Sequence, residues 1–318
     1  MTNFKQTLSR ITDYIKADIF PGASLALYDG QDWQEHYLGT QDGNIPVVPG
    51  LTYDLASVSK VVGVGTLCLF YLQAGKLDLD EKLSTYYPAV VDKTLTLRQL
   101  LSHSSGIDPF IPNRDELDQA DLISAINAIK VKDDKPFLYT DINFILLGLM
   151  LEKVSGQTLD KLFDSEIFQP FGMFETRFGP VEVAVPTVKG IPGGTVHDPK
   201  ARVLKEHTGS AGLFSTLKDL EIFVNHYLTD DFAKNMTQNI SQSNKERSVA
   251  WDLQGDWILH TGYTGTFVLI NIPAQRAAIF LSNRTYYKDE RAQWIKDRDA
   301  LIEIMKKELV CEMVDQGK

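Results

Sequence analysis

The chain has 318 residues, 43% of them hydrophobic and 23% charged, and carries a net charge of −10 at pH 7. That length can bury the core of one large or two modest domains, and the acidic balance argues against a nucleic-acid partner or an anionic membrane surface. Two cysteines, Cys68 and Cys311, are too few for a disulfide framework.

The first residues lead into an amphipathic helix with Phe4, Leu8, Ile11 and Ile15 on one face, with no signal-peptide pattern, so a cytoplasmic location is expected. Two short strands follow at 23–28 and 33–39, joined by the turn Asp29-Gly30-Gln31-Asp32. Next comes Ser57-Val58-Ser59-Lys60, running into a helix that is apolar nearly all round (Val61, Val64, Leu67, Leu69, Phe70, Leu72) and closes at Gly75. Such a helix lies buried between layers. Its apolar run, interrupted by Gly63, Gly65 and Thr66, is too short for a membrane span.

Residues 76–244 read as mostly helical, most clearly at 142–154 before Gly156 and at 159–168. From about Ser248 the pattern turns to strands at 248–253, 257–263, 266–272 and 277–282, with turns at Gly255, Gly265 and Pro273. A last helix at about 290–309 has Trp294, Leu301, Ile304 and Met305 along its apolar face. Two N-terminal strands cannot make a stable sheet alone. Joining them to the later strands predicts an α/β (α+β) fold: one antiparallel sheet flanked by the terminal helices. Its sheet domain is expected at 1–60 and 245–318, with a helical domain at 61–244 inserted and the active site between the two.

Ser57-x-x-Lys60 pairs a nucleophile with a base. Positions i and i+3 share a helix face with Cβ atoms roughly 5–6 Å apart, and helix N-terminal N–H groups favour a developing alkoxide. Burial of Lys60 is expected to lower its pKa toward that of a working base. The motif alone is weak, since about one copy arises by chance in a chain of this size. A second copy, Ser215-Thr216-Leu217-Lys218, reads as a helix start with Ser215 or Thr216 as the cap.

Two further motifs separate the copies. Tyr139-Thr140-Asp141 opens the helix near Ile142, and His260-Thr261-Gly262 lies on a predicted strand. In order and spacing the three resemble the serine β-lactamase and penicillin-binding-protein superfamily, marked by Ser-x-x-Lys, Tyr-x-Asn and Lys-Thr-Gly. The resemblance is strongest to its class C β-lactamase, esterase and D-aminopeptidase branch and covers nearly the whole chain. Leu100-Leu101-Ser102-His103-Ser104-Ser105-Gly106 and Gly212-Leu213-Phe214-Ser215-Thr216 add to it.

The resemblance implies that Ser57 forms an acyl-enzyme and that Lys60 and Tyr139 share the proton transfers. Backbone N–H groups of Ser57 and Tyr263 would hold the oxyanion, and Asp141, His260, Thr261 and Gly262 would bind substrate. No metal or organic cofactor is needed; the expected partner is a small ester, amide or lactam. Two departures bear on substrate. His260 replaces a lysine that would pair with a substrate carboxylate, which favours esters over lactams. Asp141 replaces an asparagine; it would raise the pKa of Lys60, cap the following helix, or hold a substrate ammonium as in an aminopeptidase. Alternatives are a D-amino-acid peptidase, a β-lactamase, or a penicillin-binding module that acylates without turnover. His103 reads as a buried structural histidine, and His197, His207 and His226 lack metal-ligand spacing.

Overall fold

The computed structural model describes residues 4–311; residues 1–3 and 312–318, and the side chain of Cys311, lie outside that description. Helix α1 (Lys5–Lys16) precedes the hairpin β1 (Gly22–Tyr28) and β2 (Trp33–Gly39), and β3 (Thr52–Asp54) leads to the Ser57 segment. The helical part includes α2 (Thr66–Gln73) and α3 (Asp141–Ser155), the short strands β4 (Arg177–Phe178) and β5 (Leu213–Thr216), and α4 (Leu217–Thr229). Strands β6 (Asp252–Gln254), β7 (Trp257–Thr261), β8 (Phe267–Asn271) and β9 (Arg276–Ser282) precede α5 (Arg291–Cys311).

The main sheet has six antiparallel strands in the order β2-β1-β9-β8-β7-β6. The first and last parts of the chain therefore share one sheet, because β1 pairs with β9 from Ala23↔Ser282 to Tyr28↔Ala277. Both faces are covered. Leu25, Leu27, Phe267, Leu269 and Phe280 pack against α1 and α5, whereas Ala26, Ile258, Val268, Ile270 and Ile279 face the helical core. This is the period-two alternation of strand side chains sorted between two cores. Helix α1 has no side-chain cap of its own; Glu308 of α5 accepts from the Gln6 and Thr7 N–H groups, both at 2.9 Å. One end of the chain thus caps the other.

A second sheet, β3-β5-β4, lies within the stretch expected to be mostly helical. Its strands are two to four residues long, too short to leave an alternating pattern. Ser215 belongs to it. Its hydroxyl bonds Thr176 at 2.7 Å, and Thr216 caps α4 by accepting from Asp219 N–H. On α5 the buried face holds Trp294, Leu301, Ile302, Met305 and Leu309, with Ile304 only half-buried. The helical stretch Ala56–Gln73 is apolar and long enough to span a membrane, yet 78% of it is buried inside the protein.

Candidate active site

The segment before Ser57 is held from several sides. Ala56 adopts φ 46°, a left-handed conformation that costs a residue with a side chain on the order of 1–3 kcal/mol. Asp54 offsets it by accepting from Ala56 N–H at 2.8 Å with one oxygen and from His197 N–H at 2.7 Å with the other. Burial pushes the Asp54 carboxyl up to about 6, against these two hydrogen bonds. Thr264 and Thr266, from the turn after β7, donate to the Asp54 and Leu55 carbonyls, both at 3.0 Å. A short 3-10 turn (Ala56–Val58) then carries Ser57, and a π-helical turn (Val61–Gly65) joins it to α2.

Lys60 is fully buried beneath Ser57 and makes three hydrogen bonds: to Ser57 Oγ at 2.9 Å, Asp141 Oδ1 at 2.8 Å and the Ser210 carbonyl at 2.8 Å. The last contact depends on Gly209, where a Cβ would stand 2.2 Å from the Phe144 carbonyl. Tyr139 closes the group, its ring centroid 5.2 Å from Lys60 Nζ. Beneath that ring lies His103, with centroids 4.4 Å apart. His103 Nδ1 accepts from the Asn143 amide at 2.9 Å, which fixes the plane on which Tyr139 rests. The histidine is buried, and its ring supports that of Tyr139.

Burial and Asp141 were expected to move Lys60 in opposite directions. Burial by itself would lower the pKa of Lys60, but Asp141, and then Tyr139, more than offset it, so the amine is held above its ordinary value as an ammonium. It donates to Ser57 and is not a resting-state base. Asp141, despite burial, is held well below the usual carboxylate range by Lys60 and Lys200. Its second oxygen takes Lys200 Nζ at 2.9 Å, so each oxygen is already paired with an ammonium. Nor is Asp141 the cap of α3: Thr140 accepts from Ile142 N–H at 3.3 Å.

His260, at the end of β7, is buried and held neutral by desolvation and then by Lys60 and Arg247. Its Nδ1–H donates to the Thr261 carbonyl at 3.2 Å, and Nε2 has no partner among the described residues. A histidine with its folded pKa below the unfolded value of about 6.5 stabilises the fold above that pH and loses the contribution as pH falls. The stability advantage of wild type over His260→Gln should therefore shrink below pH 6.5, by about 1.4 kcal/mol per pH unit. Urea titrations of both proteins at pH 7, 6 and 5 measure it; a difference independent of pH would contradict a neutral His260.

Gly262 follows, with a Cβ position 2.1 Å from Thr266 Oγ1 and 2.7 Å from the Leu55 carbonyl, so only glycine fits against the nucleophile segment. Among the described residues the Tyr263 N–H meets no acceptor, as an oxyanion donor requires. Ser57, Tyr139, Asp141, Thr261, Gly262 and Tyr263 all line one cleft of about 680 Å³. The structure thus brings the three motifs together.

Sequence reasoning missed Lys200, Arg247 and Arg298. Arg298, on the α5 face that begins with Trp294, donates from Nη1 to Thr261 Oγ1 at 3.2 Å. It places beside Thr261 a fixed cation that His260 does not supply. Its i, i+4 spacing from Trp294 was the available signal. Arg298, Tyr139 and Thr261 also wall a neighbouring cavity of about 420 Å³ into which His260 and Arg247 face. No group of three or more His, Cys, Asp or Glu side chains among the described residues is placed to hold a metal ion.

This fold, with a Ser-x-x-Lys pair beside a tyrosine and a strand along one cleft, defines a serine hydrolase of the β-lactamase-like class. The Beta-lactamase family model matches residues 9–302, and the chain belongs to that family. An Escherichia coli K12 relative provisionally named a D-alanyl-D-alanine carboxypeptidase is 25% identical over 76% of this chain and 71% of its own. Among solved structures, a β-lactamase/D-alanine carboxypeptidase from Yersinia pestis has a TM-score of 0.76 at 16% identity, covering 96% of this chain and 99% of its own. EstCE1, described as a hydrolase with promiscuous acyltransferase activity, has a TM-score of 0.75 at 18% identity, covering 93% and 97%.

Proposed function

We propose that the chain cleaves small esters or amides through an acyl-enzyme on Ser57. The observation that carries this is the Lys60 ammonium donating to Ser57 Oγ at 2.9 Å on the wall of an open cleft. Ser57 Oγ attacks the substrate carbonyl carbon while its proton passes to the Lys60–Tyr139 pair. Lys60 steadies the developing negative charge on Oγ, and the Ser57 and Tyr263 N–H groups receive the oxyanion. The C–O or C–N bond breaks, Tyr139 returns the proton to the leaving group, and the acyl group stays on Ser57. Water then repeats the sequence, with Tyr139 taking its proton and Ser57 recovering one.

A second reading, a D-amino-acid peptidase, is supported by Arg298 beside Thr261, which suits a carboxylate on the leaving group, and by the name of the Escherichia coli relative. A panel of p-nitrophenyl acetate and butyrate, D-alanyl p-nitroanilide, an acylated D-alanyl-D-alanine peptide and nitrocefin separates them. The first reading expects the two esters to turn over fastest. Rapid nitrocefin cleavage with negligible ester turnover would sink it, and preference for the peptide would establish the second.

A further inference from the structure

Asp141 is an unusual neighbour for a lysine that must serve a nucleophile, since a lone carboxylate would clamp the ammonium and add a buried negative charge. The structure does not leave it alone. Lys200 Nζ lies 2.9 Å from Asp141 Oδ2 and 3.2 Å from Asp198 Oδ2, with only 14% of its side chain exposed. The loop that carries it is tied back to the nucleophile, because His197 N–H donates to the same Asp54 carboxylate that receives Ala56 N–H. The contacts form a closed ring: Ser57, Lys60, Asp141, Lys200 and Asp198, then through His197 and Asp54 back to Ala56, next to Ser57.

We propose that Lys200 is a positioning residue for the Ser57 reaction: it neutralises the outer oxygen of Asp141, so that Asp141 and Lys200 act on Lys60 as a pair of nearly zero net charge. This rests on the reading of Ser57 as the nucleophile. Lys60 also faces Tyr139, His103 and His260. Both histidines are held neutral by burial and then by nearby cations, so the charges nearest Lys60 are Asp141 and Lys200, with Asp198 on Lys200 behind them and Arg247, paired with Asp252, beyond the histidines. Removing Lys200 leaves a bare negative neighbour, which holds the Lys60–Tyr139 proton more tightly whichever of the two carries it. Removing the Asp141 charge takes away the carboxylate bonded to Lys60 and does the reverse.

The test measures the rate of Ser57 labelling by a fluorophosphonate between pH 5.5 and 10, on the full chain, with melting curves for each variant. Lys200→Met should move the rising limb of the profile up by about one pH unit, and Asp141→Asn should move it down by about as much. The double variant should return most of the way to wild type, and Lys200→Arg, which keeps the charge on Asp141, should stay near it. A residue that only anchored its loop would slow labelling without opposed shifts or rescue. An unmoved limb in Lys200→Met, or a double variant no nearer wild type than either single, would overturn the proposal. If Lys200→Met does not fold, Asp141→Asn against the double variant decides, since adding the second change must move the limb back up. Labelling that persists in Ser57→Ala is a different result: it would overturn the nucleophile and leave the ion pair unaddressed.

Discussion

Replacing Ser57 by alanine is expected to abolish the fluorophosphonate adduct and to cut ester hydrolysis by about three orders of magnitude or more, because a serine nucleophile and its proton acceptors act as a unit. The substitution removes one half-buried hydroxyl whose partner, Lys60, keeps Asp141 and the Ser210 carbonyl, so the fold should hold. Ser215→Ala supplies the control. That serine belongs to an identical tetrapeptide pattern, yet it is buried in β5 and shares a hydrogen bond with Thr176. Its lysine, Lys218, lies on the surface with Glu221. Ser215→Ala should keep its labelling, and undiminished labelling of Ser57→Ala would show that the wrong serine had been chosen.

Lys60→Met is expected to harm both activity and stability. Methionine fills a similar volume but leaves the Ser210 carbonyl and one oxygen of Asp141 without their donor. Breaking a buried ion pair on one side costs about 3–5 kcal/mol; Lys200, still bonded to Asp141, should hold the loss near the lower end. The rate should fall by about three orders of magnitude, since Ser57 loses the charge that stabilises it. The pH dependence follows from the two shifts. The raised Lys60 contributes stability fully present below its unfolded value of about 10.4 and lost as pH rises beyond it. The lowered Asp141 contributes stability present above about 3.9 and lost as pH falls. Urea unfolding should therefore give a constant difference from wild type between about pH 7 and 9, above the range in which His103 and His260 respond to the loss of Lys60. A variant as stable and as active as wild type would remove Lys60 from the mechanism.

What could be read from residues alone divides by the distance over which the signal acts. The hairpin β1–β2, helix α3 up to Gly156 and the last strands follow from local alternation and punctuation, and the observed bounds fall within a few residues. The meeting of Ser57, Tyr139 and the His260 strand was legible because each sits in a short motif. Lys200 and Arg298 carry no such motif. Each reaches the cleft through a contact across a large loop, Lys200 to Asp141 and Arg298 to Thr261, and an isolated lysine or arginine reads as solvated surface. The charge state of Lys60 was left between two opposed effects for a related reason. Burial alone points downward, and the sign depended on a carboxylate eighty-one positions away in sequence.

The pairing of β1 with β9 has a consequence for how the enzyme comes into being. Ala23 must wait for Ser282, so during synthesis the first hairpin emerges with an open edge that nothing can yet cover. Closing contacts so far apart in sequence is slow. The Ser57 segment waits as well, because the threonines that tether Asp54 and Leu55 belong to the β7–β8 turn. Chains cut short before that turn would carry Ser57 and Lys60 without an assembled cleft, so the site can form only after the β7–β8 turn has been made.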